Sequence, residues 1–459
     1  MSSLMALQDR LGRNIVFTLV IRVLGGADPK GTLIAALRDS GVKIADVELT
    51  EIEDSTNNLI YEITLFTTGD EQMASARKAA DGIEGIEVVE VIDVAMEAHR
   101  GGSCRMVAAS PIESNTDLRI VYTPGVARVC KAIEADPSLA DEYTGINNTV
   151  AIVTNGTAIL GLGDIGCIAG MPVMEGKSAI FAEFAGISAI PMLVDTKDPE
   201  KFVETVCTIA KTFGAIQVED VAAPDCFYIT SELDRRLDIP VMHDDQYGTA
   251  TIVLAGLYSA LKKTGKKIEA LEVCILGAGA AGTAISDLLI KAGVKDVVLC
   301  DRYGAICKGR SNMNSAKQSL AGWTNKKNLQ GDIAAAIKGK DMFIGCSGPN
   351  LVSKDMIASM NDEPIVFALA NPVSEISRDD ALAGGAAIYA DGRTMNNAIA
   401  YPGIFRGALD AKSKVIDIPM MMAAAKALAD IVPEGQLLPE MMDPKTHQTV
   451  SQAVMKCVK

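Results

Sequence analysis

Leu271-Glu272-Val273-Cys274-Ile275-Leu276-Gly277-Ala278-Gly279-Ala280-Ala281-Gly282 is the stretch that decides the fold. Its first half is an apolar, β-rich run. Its second half is a G-x-G-x-x-G loop, and a helical pattern follows through Lys291. A second strand pattern, Asp296 to Cys300, ends in Asp301, nineteen residues beyond Gly282. A lone glycine motif is weak evidence. Strand, loop, helix, strand and terminal acid together form a dinucleotide-binding fingerprint. In that fingerprint Gly277, Ala278, Gly279, Ala280, Ala281 and Gly282 lie against a pyrophosphate, and Asp301 meets ribose hydroxyls. A carboxylate there repels a 2′-phosphate, which favours NAD over NADP, although Arg302 beside it could tolerate that phosphate.

The alternation continues downstream. Met342 to Cys346 ends in Ser347-Gly348-Pro349, and Ile365 to Ala370 ends in Asn371-Pro372. A short strand, Ala387 to Ala390, precedes Asn396-Asn397. Ligands of an open parallel sheet bind outside the carboxyl ends of its strands, so Ser347, Asn371 and Asn397 are placed to meet the bound coenzyme and its reaction partner. Asn396 reads as turn geometry.

Upstream, residues 111–245 also alternate strand and helix and hold the chemistry, while 246–459 hold the nucleotide fold. Ala215 to Asp220 is a short strand ending in two acids, Glu219 and Asp220. Asp238 to Met242 is another, followed by His243-Asp244-Asp245 and a helical pattern to Lys263. Each acid pair alone reads as a solvated helix cap. Four carboxylates in one cleft would repel unless a cation neutralised them. Asp and Glu oxygens select Mg²⁺ or Mn²⁺ rather than zinc. Tyr122 stands directly before the rigid Thr123-Pro124-Gly125 turn, and Lys177 stands at a Gly-flanked helix start. The helix dipole does not favour a surface lysine there.

Residues 1–13 read as a short leader. Residues 14–95 give strand, helix, strand, strand, helix, strand, with a turn at Gly25-Gly26-Ala27-Asp28-Pro29 and another at Asp54-Ser55-Thr56-Asn57-Asn58. That order is a ferredoxin-like split. The stretch resembles an ACT domain, a small-molecule sensing module, and Gly31 sits where that family binds its ligand. A plain dimerisation domain is the alternative. Residues 96–110, with Arg100-Gly101-Gly102-Ser103, read as linker.

The totals limit the function. The chain has 459 residues, 49% hydrophobic and 22% charged, which is ample for several cores. Its net charge of −15 argues against nucleic acid and against an anionic membrane surface. The ten cysteines form no CxxC pair and read as reduced, packed thiols of a cytoplasmic protein. Three histidines exclude a His-rich zinc site. The N-terminus shows no signal-peptide pattern, and the apolar runs fall short of a membrane span of ~20 residues.

YTPGVA (122–127), ILGLGDIG (159–166), MEGK (174–177), IQVED (216–220), HDDQYGTA (243–250), GAGAAG (277–282), ANP (370–372) and YPGIFRG (401–407) together resemble the malic enzymes of the compact bacterial type. The resemblance covers about residues 100 to 430. It implies an α/β fold: a two-domain body with a Rossmann-type dinucleotide-binding domain, here preceded by the ferredoxin-like unit. By resemblance, Glu219, Asp220 and Asp245 are metal ligands, Lys177 is the general base and Tyr122 the general acid. Asp244 pairs with the lysine, and Asn371 and Asn397 contact substrate and nicotinamide. The activity implied is NAD-linked oxidative decarboxylation of malate, with an NADP-preferring or malolactic enzyme as alternatives on the same scaffold. A sensing protein built on residues 14–95 is the alternative from another class. A homodimer is the default for both parts, and an amino acid or other small effector would suit the first. One departure stands out. Larger relatives carry an arginine where this chain has Ala158, so the anchor for malate's remote carboxylate is unassigned, with Arg105 and Arg119 as candidates by sequence proximity alone.

Overall fold

A computed structural model describes residues 15–24, 29–53, 56–159 and 161–458. The expected leader, the turn over 25–28 and the tip at Asp54-Ser55 lie outside the described residues. The chain divides into two compact units at Arg105/Met106.

The first unit follows the order read from sequence: β1 (Ile15–Val23), helix Lys30–Asp39, β2 (Lys43–Glu53), β3 (Asn58–Thr67), helix Asp70–Asp81 and β4 (Ile86–Asp93). The antiparallel sheet runs β2-β3-β1-β4. Alternation along β1 and β3 puts Leu19, Ile21, Ile63 and Leu65 inward, against Leu37 and Ala76 of the two helices. Edge strand β2 departs from that pattern. Its Val47, Leu49 and Ile52 are 40%, 45% and 53% exposed.

The second unit carries two sheets. The first contains β5 (Thr149–Thr154), β6 (Ser188–Leu193), β7 (Ala215–Val218) and β8 (Val241–His243), all parallel in the order β6-β5-β7-β8. The second contains β9 (Glu272–Leu276), β10 (Asp296–Asp301), β11 (Gly304–Ala305), β12 (Met342–Gly345), β13 (Ile365–Ala368) and β14 (Ile388–Asp391). Its order is β11-β10-β9-β12-β13-β14, parallel except for the β10–β11 ribbon. Strands covered on both faces read as unbroken apolar runs, which is why Val150 to Val153 and Val273 to Ile275 are fully buried. The helix Thr249–Thr264 follows β8 after the turn Asp244–Gly248, and its apolar residues join a core shared with both sheets. One core runs from Val150 and Ile152 through Val253 and Leu257 to Ile275 and Phe405. The two sheets therefore share a packed base that fixes their strand ends relative to each other.

Lys177 is not at a helix start. It lies well inside the helix Cys167–Ala185, which also contains Pro172. Gly170, Met174, Ser178 and Phe181 form its buried stripe, and their packing overrides the breaker signals of Pro172 and Gly176. Nine of the ten cysteines, all but Cys104, carry free thiols. Cys104 and Cys130 are exposed rather than packed. No helix among the described residues is long and apolar enough to cross a membrane.

Candidate active site

Strands β7 and β8 pair in parallel, Val218 opposite His243, so the residues after them emerge on one side of the sheet. Glu219 and Asp220 follow β7 and are each 2% exposed. Asp244 and Asp245 follow β8 within a single π-helical turn, Asp244–Gly248, that feeds the next helix and carries no side-chain cap. The helix-cap reading of that pair therefore fails. One carboxylate oxygen each from Glu219, Asp220 and Asp245 lies within 4.8 Å of the others. Asp220 takes a left-handed backbone, φ 51°, and its N–H donates to Asp245 Oδ2 at 2.9 Å. Gln217, two residues before Glu219 on the same strand face, donates to Glu219 Oε2 at 2.6 Å. Burial pushes the Glu219 carboxyl well up, and Asp245, Asp244 and Asp220 add to that against the opposing Lys177. Three clustered hard oxygen donors fit Mg²⁺ or Mn²⁺.

Lys177 joins this cluster from the far helix. Its Nζ lies 3.0 Å from Glu219 Oε1 and donates to Asp244 Oδ2. Asn397 Nδ2 donates to the same Asp244 oxygen at 2.6 Å. Asp244 is fully buried, and only a glycine at 248 leaves it room: a Cβ there would fall 1.8 Å from Asp244 Oδ1. The Lys177 ammonium also lies 4.7 Å from the centre of the buried Tyr401 ring. Burial opposes the charge on Lys177, but Asp244 and Glu219 outweigh it and hold the amine protonated, well above the usual lysine range. Burial also pushes Asp244 up, with Lys177 pulling the other way.

The second sheet presents the coenzyme loop. The Gly277 N–H donates to Cys300 O at 2.9 Å, tying the loop between β9 and β10. Gly277 has φ 119°, and a Cβ on it would meet Cys346 O at 2.4 Å. A Cβ on Gly282 would meet Gly277 O at 1.9 Å. Gly279 faces open space instead. Two glycines thus allow close packing and the middle one leaves an approach to the backbone, the division of labour a pyrophosphate site requires.

The family Malic enzyme, N-terminal domain, matches residues 102–234, and Malic enzyme, NAD binding domain, matches residues 246–458. The chain belongs to the malic enzyme family. It is 42% identical over 435 residues to an NAD-dependent malic enzyme of Geobacillus stearothermophilus, covering 92% of this chain and 90% of that protein. It is 44% identical to a bifunctional malic/malolactic enzyme of Bacillus subtilis over 79% of this chain and 92% of that one. The crystal structure of an NAD-dependent malic enzyme from Thermotoga maritima superposes with a TM-score of 0.76, at 41% identity, over 79% of this chain and 98% of that one.

Within this malic enzyme chain, the structure brings Lys177, Glu219, Asp220, Asp244, Asp245 and Asn397 together. Tyr122 is not among them. It ends the short helix Asn115–Val121, is 65% exposed, and makes no side-chain hydrogen bond to the cluster among the described residues. Asn371 lies at the carboxyl end of β13, its side chain against Gly392. Ser347 follows β12, and its N–H donates to Glu375 Oε1 at 2.9 Å. Asn396 behaves as a turn residue, accepting from Ala398 N at 2.9 Å. Ala158 donates its N–H to Asp220 O at 3.0 Å, so this position braces the loop that carries Asp220. Arg105 and Arg119 are exposed. Gly31 is the second residue of its helix and is exposed.

Several residues escaped the sequence reading. Tyr401 lay inside a quoted motif, but nothing in YPGIFRG tells that its ring covers Lys177. Glu375 is fully buried and also accepts from Ala370 N at 3.1 Å, so it ties together the loops after β12 and β13. Arg310 and Lys317 close on Asp301, with Arg310 donating to both its oxygens. A cation nine or sixteen residues after an acid has no local spacing signal; the loop after β11 folds it back.

Proposed function

We propose that the chain catalyses oxidative decarboxylation of (S)-malate to pyruvate and CO₂ with NAD as hydride acceptor. The observation that carries this is Lys177, held by Asp244 and Glu219 beside the Glu219/Asp220/Asp245 cluster. Glu219, Asp220 and Asp245 would hold a divalent cation, which would supply Lewis acidity and offset the negative charge that otherwise keeps Lys177 protonated. Lys177 accepts the C2 hydroxyl proton as C2 gives its hydride to the nicotinamide. Asn397 fixes Asp244, and Asp244 fixes the lysine amine. The bond from C3 to the β-carboxyl then breaks, CO₂ leaves with its oxygens, and the electron pair stays on the enolate until C3 takes a proton. Turnover of malate with Mn²⁺ and NAD, read by reduced-coenzyme absorbance and by product, tests this: pyruvate with stoichiometric NADH is expected. Lactate without NADH would make the enzyme malolactic instead.

The C3 proton donor we assign to Tyr122, delivered by a second copy in a homodimer. Tyr122 is exposed in its own chain, and the segment leading to it leaves Met106, Val107, Ile112 and Ile120 between 53% and 90% exposed. A run of that kind calls for a cover. Mixing inactive Tyr122→Phe chains with inactive Lys177→Ala chains and allowing exchange should restore about a quarter of wild-type activity if sites are shared between copies. No recovery would return the donor to another group.

For the first unit we propose a regulatory role, with a small effector bound at the Gly31 end of the helix Lys30–Asp39. The hollow beside Lys30, lined by Ile21, Val23, Leu33, Val47 and Tyr61, measures about 30 Å³, too small for an amino acid alone. The exposed Val47, Leu49 and Ile52 of edge strand β2 offer a pairing face that a second copy would complete. Deleting residues 1–95 should abolish any effector response and leave basal turnover. The nine free thiols, Cys104 apart, suit a cytoplasmic enzyme.

A further inference from the structure

Glu375 lies in the loop after β13 and is fully buried, with no basic side chain paired to it among the described residues. Its two oxygens serve two different loops. Oε1 accepts from Ser347 N, after β12, at 2.9 Å, and Oε2 accepts from Ala370 N, after β13, at 3.1 Å. Strands β12 and β13 pair in parallel, Gly345 opposite Ala368, so both loops leave the same end of the sheet. Gly345 makes room for the bridge, since a Cβ there would fall 2.3 Å from Glu375 Cδ. The backbone around the carboxylate is held as well. Val352 N donates to Glu375 O at 3.0 Å, and the Tyr389 hydroxyl donates to Ile376 O at 3.1 Å. The bridge borders the coenzyme loop: Cys346, beside Ser347, donates its N–H to Leu276 O at 2.8 Å, and its own carbonyl crowds Gly277. Burying a carboxylate without a cation is costly. What that carboxylate provides is an acceptor for both N–H groups at once; an amide would turn a donor toward one of them.

We propose that Glu375 is a positioning residue for hydride transfer: its carboxylate sets the spacing of the loops that carry Ser347 and Asn371, and with it the place of the nicotinamide relative to malate C2. This rests on the reading of Ser347 and Asn371 as coenzyme and substrate contacts, and deepens it by naming what keeps them in register.

The test is Glu375→Gln in the full-length protein, assayed with malate and with malate deuterated at C2. One loop loses its acceptor and shifts, so kcat should fall about 10- to 100-fold. The deuterium isotope effect on kcat should rise above that of wild type, because hydride transfer becomes the slow step. Without malate, the variant should bind NADH about tenfold more weakly, read by NADH fluorescence, for the loss of one hydrogen bond and a displaced contact. Its Mn²⁺ affinity should stay within about twofold of wild type, since the metal-facing acids lie on the other sheet. Glu375→Asp keeps two acceptor oxygens and should retain more kcat and a smaller isotope effect than Glu375→Gln; it also replaces that variant if the amide does not fold. A kcat within about threefold of wild type would overturn the proposal. So would a lower kcat with an unchanged isotope effect and unchanged NADH affinity, which is the mark of a merely structural carboxylate. Wild type that makes no NADH from malate would instead remove the reading beneath the proposal, and the positioning role with it.

Discussion

Two acidic strand ends sit in one chain with opposite charge balance. After β7 and β8, Glu219, Asp220, Asp244 and Asp245 have one amine, Lys177, among them. After β10, Asp301 alone has two cations, Arg310 and Lys317. The pKa directions follow. Burial and like charges push Glu219 well up. Asp301 is buried too, yet Arg310 and Lys317 hold its carboxyl down at about 2. The first end is three charges short of neutral and is built to receive something positive. The second is complete, with charge to spare. An acid at a strand end therefore says little by itself; the cations folded onto it decide what it does.

The sharpest break of this contrast is at the lysine. Lys177→Ala should lower kcat by about 10²- to 10⁴-fold with KM for NAD little altered, as expected of a lost general base. A loss below about tenfold in steady-state kinetics would take Lys177 out of the chemistry. Asn397→Ala frees Asp244 on one side and should cost about 10- to 100-fold in kcat, by analogy with outer partners of a metal site. Because Asp301 has no acceptor left, Asp301→Asn should raise KM for NAD by no more than about threefold. A rise of tenfold or more would mean that Asp301 reads the ribose after all.

The smallest effect is a pH dependence of stability. The folded Asp301 pKa is depressed from 3.8 to about 2, so its contribution is present in full above about pH 4 and is lost as pH falls through 2. The stability difference between wild type and Asp301→Asn in urea should be constant near neutrality and shrink across that window. A difference that grows on acidification would contradict the pairing of Asp301 with Arg310 and Lys317.

The sequence reading reached the fold where local patterning carries it. Buried parallel strands announce themselves as apolar runs, and β9 with its glycine loop needs no tertiary context. It also brought the acids Glu219 and Asp245 into one place, because they follow strands whose parallel pairing brings their ends together. It failed for Lys177's place in its helix, since Pro172 and Gly176 look like breakers until the stripe Met174, Ser178, Phe181 is seen packed. It missed Arg310 and Lys317 because a loop, not a period, returns them to Asp301. It placed Tyr122 in the site by family pattern, while within one chain that tyrosine remains exposed.

The central claim is that the carboxylates after β7 and β8 form a single divalent-cation site. Titrating Mn²⁺ into wild type and Asp245→Ala under electron paramagnetic resonance tests it most directly. About one tightly held ion per chain is expected in wild type, and none in the variant. A variant that holds Mn²⁺ as tightly as wild type would contradict the account.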